Sequence, residues 1–318
     1  MGPRLVTSPQ QGDSLNGAMT SCSRTSVAVR SQATKRPAPP HSAGSGPFAT
    51  QMLLVDGYSI RVGRQAGSGS GMPLLLFNGI GGNIELLGPL ALRMPGRELI
   101  TFDVPGVGQS EPPRVPYRLP GLARMAAGIL DHFGHGQADV FGVSWGGTAA
   151  QEFARTCKER CHRLILCSTS AGAVMVPASP QVLWKMATPL RYMRRDYARQ
   201  VAGDIYGGDF RKDPDLALEL FRHVRWQSRL GYYLQIAAVM GWTSVHWLHC
   251  LTQPTLIMAG LDDPLVPILN AHILKTLIPH SELKVFNCGH LFLLTRGDET
   301  ARVMNEFLDR PDMNGRQQ

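Results

Sequence analysis

No run of apolar residues in the chain approaches the roughly 20 needed to cross a bilayer. The N-terminus also lacks the apolar stretch of about 7–15 residues that a signal peptide carries. The six cysteines (Cys22, Cys157, Cys161, Cys167, Cys250, Cys288) form no C-x-x-C pair and no His/Cys ligand spacing. Cys157 and Cys161 stand one helical turn apart, but two ligands without neighbours rarely hold a metal. Reduced thiols in an intracellular protein are therefore expected, with no metal and no other cofactor. Nucleic acid is excluded by another absence. The net charge is +8, yet residues 1–50 carry Arg4, Arg24, Arg30, Lys35 and Arg36 against Asp13 alone, which is half the excess. The remainder forms no aromatic-interleaved basic stripe.

What the chain does contain is enough for a large core. With 318 residues, 43% of them hydrophobic and 18% charged, it suits one sizeable α/β domain with an insertion. Residues 1–50, rich in Ser, Pro, Gly and Gln, read as a disordered basic tail. Order is expected from Met52, with a hairpin turning at Asp56-Gly57. Strands 73–77, 98–103, 138–141, 163–167, 254–259 and 283–286 alternate with helical stripes, among them Leu122, Met125, Ala126, Ile129, Leu130 and Phe133. That alternation predicts a doubly wound, mostly parallel sheet. Between 171 and 250 the pattern changes to helices only. This segment holds four of the five tryptophans (Trp184, Trp226, Trp242, Trp247). It reads as a helical cap between a first core segment, 51–170, and a second, 251–310, with 311–318 as a tail. Such a cap lies over the carboxyl ends of the strands, where ligands bind in these sheets.

The chemistry centres on Gly142-Val143-Ser144-Trp145-Gly146-Gly147, placed between an apolar strand and a helical stripe. A G-x-S-x-G sequence on a strand-to-helix turn holds its serine exposed above the sheet. A serine hydroxyl needs a base to take its proton and a third group to orient that base. The order expected for this context is serine, acid, histidine. Asp263, in the loop after strand 254–259, has the better spacing for the acid, with Asp262 as the alternate. His290, after strand 283–286, is placed to be the base. An acyl oxyanion needs two backbone donors. Trp145 N–H supplies one, and Ile80 N–H, in the glycine-rich loop after strand 73–77, is expected to supply the other. Gly106-x-Gly108-x-Ser110 lacks the third glycine of a nucleotide loop and is expected to shape the pocket rim. The cap aromatics Trp184, Trp226, Tyr232, Tyr233 and Trp242 are candidates for binding an apolar acyl group.

Taken together, these residues are similar to the α/β-hydrolase superfamily. They more closely resemble the intracellular medium-chain-length poly(3-hydroxyalkanoate) depolymerases, over roughly residues 51–310. The resemblance rests on Phe77-Asn-Gly-Ile-Gly81, Phe102-Asp-Val-Pro-Gly-Val-Gly108, the Ser144 turn, Ala171-Gly-Ala-Val-Met-Val-Pro177, Tyr206-Gly-Gly208, Gly241-Trp-Thr-Ser244, His246-Trp-Leu-His249, Asp262-Asp-Pro264 and Gly289-His-Leu-Phe-Leu293. It implies an α/β-hydrolase fold with Ser144, Asp263 and His290 as its triad. It also implies a polyester held on cytoplasmic storage granules as substrate, with granule-associated proteins as further partners. The tail 1–50 has no counterpart in it. Two readings stay open beside it: a general carboxylesterase or lipase, and a catalytically silent hydrolase-fold protein that binds granules.

Overall fold

A computed structural model describes residues 46–68, 71–221 and 229–311. Its centre is an eight-stranded sheet in the order β1-β2-β4-β3-β5-β6-β7-β8. The strands are β1 (Ala49–Val55), β2 (Tyr58–Gln65), β3 (Leu74–Phe77), β4 (Leu99–Phe102), β5 (Ala138–Val143), β6 (Cys161–Cys167), β7 (Thr255–Gly260) and β8 (Ser281–Phe286). β1 and β2 form an antiparallel hairpin, and β2 runs antiparallel to β4. All other pairings are parallel. The hairpin turns at Asp56 and Gly57 with φ of 51° and 80°. Two successive positive φ values match the right-handed twist of the flanking strands.

The central strands are apolar without alternation because both of their faces are covered. Leu75, Phe77, Val140, Leu164, Leu166, Ile257 and Ala259 face one core, with helices Leu119–His132, Trp145–Thr156 and Leu269–Leu277. Their neighbours Leu74, Leu76, Phe141, Ile165, Leu256 and Met258 face the other, with the segment around Leu87–Ala91 and helix Gly297–Leu308. Each fully buried aliphatic side chain contributes about 1.5–3 kcal/mol to holding the layers together.

Two sequence expectations shift. Order begins before Met52: β1 starts at Ala49, and Phe48, 9% exposed, packs into the second core. The tail therefore ends short of residue 50. The helical segment between β3 and β4, one of those alternating with the strands, is not continuous but divides into a 3-10 turn, Ile84–Leu87, and a short α-helix, Gly88–Leu92, because Pro89 cannot continue a hydrogen-bond ladder started upstream.

After β6 the chain leaves the sheet, and it returns at β7. The intervening helices include Pro180–Met186, Arg195–Tyr206, Leu216–Phe221 and Arg229–Val239, with a small core of Val201, Ala202, Ile205, Tyr206, Phe210 and Ala217. The two ends of this segment are tied at a neck. Ser244 N–H donates to Ala171 O, Ala173 N–H to Trp242 O, and Gly172 bridges Thr243. Among the described residues no helix is long and apolar enough to cross a membrane.

Candidate active site

Ser144 closes β5 and opens helix Trp145–Thr156 with φ 54° and ψ −121°. A non-glycine residue held there costs about 1–3 kcal/mol, so its surroundings must fix it. They do so from three sides. Ser144 N–H donates to Cys167 O at 2.8 Å, while Thr169 Oγ1 and Gly147 N–H donate to Ser144 O at 2.8 and 2.9 Å. A Cβ at 142 would lie 2.3 Å from Gly146 O, and one at 146 would lie 2.2 Å from Phe77 O. Both flanking glycines are thus required by close backbone approach.

His290 follows β8 and is anchored by its backbone. Its N–H donates to Tyr206 O at 2.7 Å, and Ser168 Oγ donates to its carbonyl at 2.9 Å. Asp263 follows β7, and its Oδ1 accepts the N–H groups of Leu265 and Val266 at 2.9 and 2.8 Å. Asp263 Oδ2 lies 2.7 Å from His290 Nδ1, and His290 Nε2 lies 3.1 Å from Ser144 Oγ. A carboxylate only accepts, so Nδ1 carries the proton and Nε2 is free to accept from the serine hydroxyl. Asp263 and His290 are buried, and Ser144 is partly open. Asp262 turns the other way, with a half-exposed side chain that accepts from Arg211 and from Gly208 N–H. The hydrogen bond from Arg211 holds its carboxyl below the usual range.

The glycine-rich loop lies against Ser144, and a Cβ at Gly79 would sit 3.7 Å from the Ser144 Cβ. Asn78 shapes the loop from within: Oδ1 accepts Gly79 N–H at 2.8 Å and Nδ2 donates to Asn83 O at 2.6 Å. Neither Ile80 N–H nor Trp145 N–H donates to a described residue. Both are held from the cap. Tyr192 OH donates to Ile80 O at 2.8 Å, and Gly81 N–H donates to Gln235 Oε1 at 2.7 Å. The Trp145 indole N–H donates to the backbone carbonyl of the same Gln235 at 2.7 Å. One cap residue therefore holds both the Ile80–Gly81 turn and Trp145, the two places where the oxyanion donors are expected.

Ser144 and His290 open onto a mainly apolar pocket. Leu86, Leu87, Leu293 and Leu294 form its core-side wall, and Met186, Arg191, Tyr192, Tyr206 and Phe221 form its cap side. None of the expected cap aromatics that the structure describes is in this lining. Trp184 is 81% exposed and Tyr233 is 45% exposed. Tyr232 is buried behind the wall, its hydroxyl on Met186 O and its ring against the Gly81 position. Trp242 fastens the neck through Glu152 Oε2 and Trp247. Trp226 lies outside the described residues. The aromatic content signalled a cap, but composition does not tell which ring faces inward. Tyr206 was visible only as part of Tyr206-Gly-Gly208. Its ring stacks on His290 at 6.4 Å, and its glycines (φ 62° and 50°) pass so close that a Cβ would meet Asp262 O or Gly289 N.

The Gly106–Ser110 loop does not form the rim. It wraps Asp103, a buried carboxylate that accepts from Ile84 and Gln109 N–H and pairs with Arg61. Gly106 meets cap residue Gly231, where a Cβ would lie 1.8 Å from Gly106 O. Burial pushes the Asp103 carboxyl up to about 6, against its backbone donors and Arg61.

A mostly parallel sheet with a strained serine after a middle strand, followed by acid and histidine loops, defines an α/β hydrolase. Residues 72–297 match the family model described as the alpha/beta hydrolase fold, and the chain belongs to that family. Within it, the poly(3-hydroxyalkanoate) depolymerase of Ectopseudomonas oleovorans is 48% identical over 265 residues, covering 83% of this chain and 94% of that one. The 2-hydroxymuconate semialdehyde hydrolase of Pseudomonas sp. (strain CF600) is 27% identical, covering 77% and 89%. Among solved structures, the enol-lactonase from Burkholderia xenovorans LB400 superposes with a TM-score of 0.69 at 19% identity, covering 83% of this chain and all of that one.

Proposed function

We propose that the chain is a serine esterase that depolymerises medium-side-chain poly(3-hydroxyalkanoate), acting in the cytoplasm at the surface of storage granules. The observation that carries the chemistry is the His290 imidazole, held between Asp263 Oδ2 and Ser144 Oγ at the mouth of an apolar pocket. The polyester substrate is supported by 48% identity to a depolymerase over nearly all of that protein's length.

In this mechanism Ser144 Oγ attacks an ester carbonyl as its proton passes to His290 Nε2. Asp263 keeps the imidazole oriented and stabilises its charged form. Ile80 and Trp145 N–H groups receive the oxyanion. The departing 3-hydroxyl takes the proton from His290, and water then releases the acyl group by the same route. The leucines on the core side suit an alkyl side chain of several carbons, each buried methylene contributing about 0.8 kcal/mol.

The test presents purified protein with granule suspensions of short- and medium-side-chain polyester and a triglyceride emulsion. Release of 3-hydroxy acids from the medium-side-chain granules, absent with Ser144→Ala, is the expected result. Preference for triglyceride would make the protein a lipase, and activity on small soluble esters alone a general carboxylesterase. Inertness toward every ester would leave a silent granule-binding protein.

A further inference from the structure

Arg191 is the unusual charge of this molecule. It is 2% exposed and lines the same pocket as Ser144 and His290. Other buried arginines are well matched. Arg61 has the carboxylates of Glu85 and Asp103, and Arg163 donates to the carbonyls of Leu308 and Arg310. Arg191 has no carboxylate within 4 Å among the described residues. Segment 222–228, Arg-His-Val-Arg-Trp-Gln-Ser, contains no acidic residue either. Arg191 donates to Tyr232 OH at 2.9 Å and, over 3.3 and 3.5 Å, to Thr188 O and Tyr192 OH, and the Tyr206 hydroxyl is a further partner. Its Nε is buried and donates to nothing described. The rings of Tyr192 and Tyr232 stack on the guanidinium at 4.4 and 5.3 Å. Rings support a cation without using its N–H donors.

A guanidinium whose acceptors are all neutral, and whose Nε has none, is buried without a counter-charge and gains from an anion that supplies one. Planar N–H pairs fit a carboxylate in a two-pronged geometry. The remaining pocket wall is mainly apolar and holds no second formal charge beside the His290 ring, so a single positive charge suits a ligand with one carboxylate and an alkyl body. We propose that Arg191, flanked by Tyr192 and Tyr206, is a carboxylate subsite that grips the free carboxyl end of a hydroxyacyl chain next to Ser144. This rests on the polyester reading above and deepens it, because it sets where cutting starts.

With the terminal carboxylate at Arg191, Ser144 Oγ bonds to the carbonyl carbon of the preceding unit. The ester C–O bond breaks, the proton from Ser144 passes through His290 to the departing 3-hydroxyl, and one 3-hydroxy acid is freed. Water then cleaves the acyl–Ser144 bond, leaving a chain with a new carboxylate. Each turnover thus regenerates the group that the subsite holds.

The experiment compares 3-(3-hydroxyoctanoyloxy)octanoic acid with its methyl ester, following the internal ester bond. The full-length enzyme is expected to cleave the acid with a kcat/KM at least about tenfold higher, as one charge-assisted pair allows. Arg191→Met is expected to bring that ratio close to one, and Arg191→Lys to restore part of it. A second measurement needs no variant: 3-hydroxyoctanoate should inhibit turnover of p-nitrophenyl octanoate at least about tenfold more tightly than 3-hydroxyoctanamide. Equal cleavage of the two dimers, a preference that survives in Arg191→Met, or equal inhibition by acid and amide overturns the subsite. Inertness of both dimers beside brisk p-nitrophenyl octanoate turnover overturns the polyester reading, and the inhibitor pair still decides the subsite.

Discussion

Asp263 spends one carboxylate oxygen on its own loop and the other on His290, so its orientation is set before any ligand arrives. Replacing it with Asn leaves the shape but favours the wrong imidazole tautomer. Asp263→Asn is expected to lower kcat by about 10³ to 10⁴ with little change in KM. Asp262→Asn removes only a half-exposed pairing with Arg211 and should cost far less, which parallel kinetics on the two variants will check. Asp103 makes a pH prediction. Its folded-state value lies near 6, above that of an unfolded aspartate, so the native state binds the proton more readily. Stability from that protonation is complete below about pH 4 and is lost as pH rises through about 6, by up to about 3 kcal/mol. Melting curves between pH 4 and 7 should therefore fall with rising pH in the wild type relative to Asp103→Asn.

Helix Arg229–Val239 carries the element-scale argument. It presents Gln235 to the Ile80–Gly81 turn and to Trp145, and Gly231 to the Gly106 turn. Gln235→Leu keeps the backbone carbonyl for the indole but leaves Gly81 N–H buried and unpaired. An unmet donor costs about 1–3 kcal/mol, here in positioning, so kcat should drop by about tenfold to a hundredfold with KM nearly unchanged. Steady-state kinetics on a soluble ester separates the two parameters. A fall in thermal stability alone, with kcat intact, would mean that the bond only packs the cap. These contacts were not legible in the sequence, since Gln235 and Gly81 lie 154 residues apart. By contrast, the Ser144 turn was legible because its cause is local: two glycines, a strand before and a helix after.

For the whole molecule, the sheet was readable because both faces of its central strands are covered and the apolar runs are unbroken. The start of the fold was not. Phe48 stands alone in a polar stretch, and only its packing near Gly63 and Ile84 marks it as core. A chain beginning at Gly46 is expected to keep its melting temperature and ester turnover. One beginning at Gln51 loses Phe48 and the Ala49 and Thr50 pairings with β2, and should be destabilised by about 3 kcal/mol or more. Differential scanning calorimetry on the two truncations distinguishes them. The cap has a bearing on access as well. Tyr192 and Gln235 hold the Ile80–Gly81 turn, and Tyr206 O holds His290, all from the same insertion. These three holds tie the position of the insertion to the geometry beside Ser144. The insertion is therefore a keystone as well as a cover, since the groups that line the pocket from above also hold the turn at Ile80–Gly81 and the His290 loop in place.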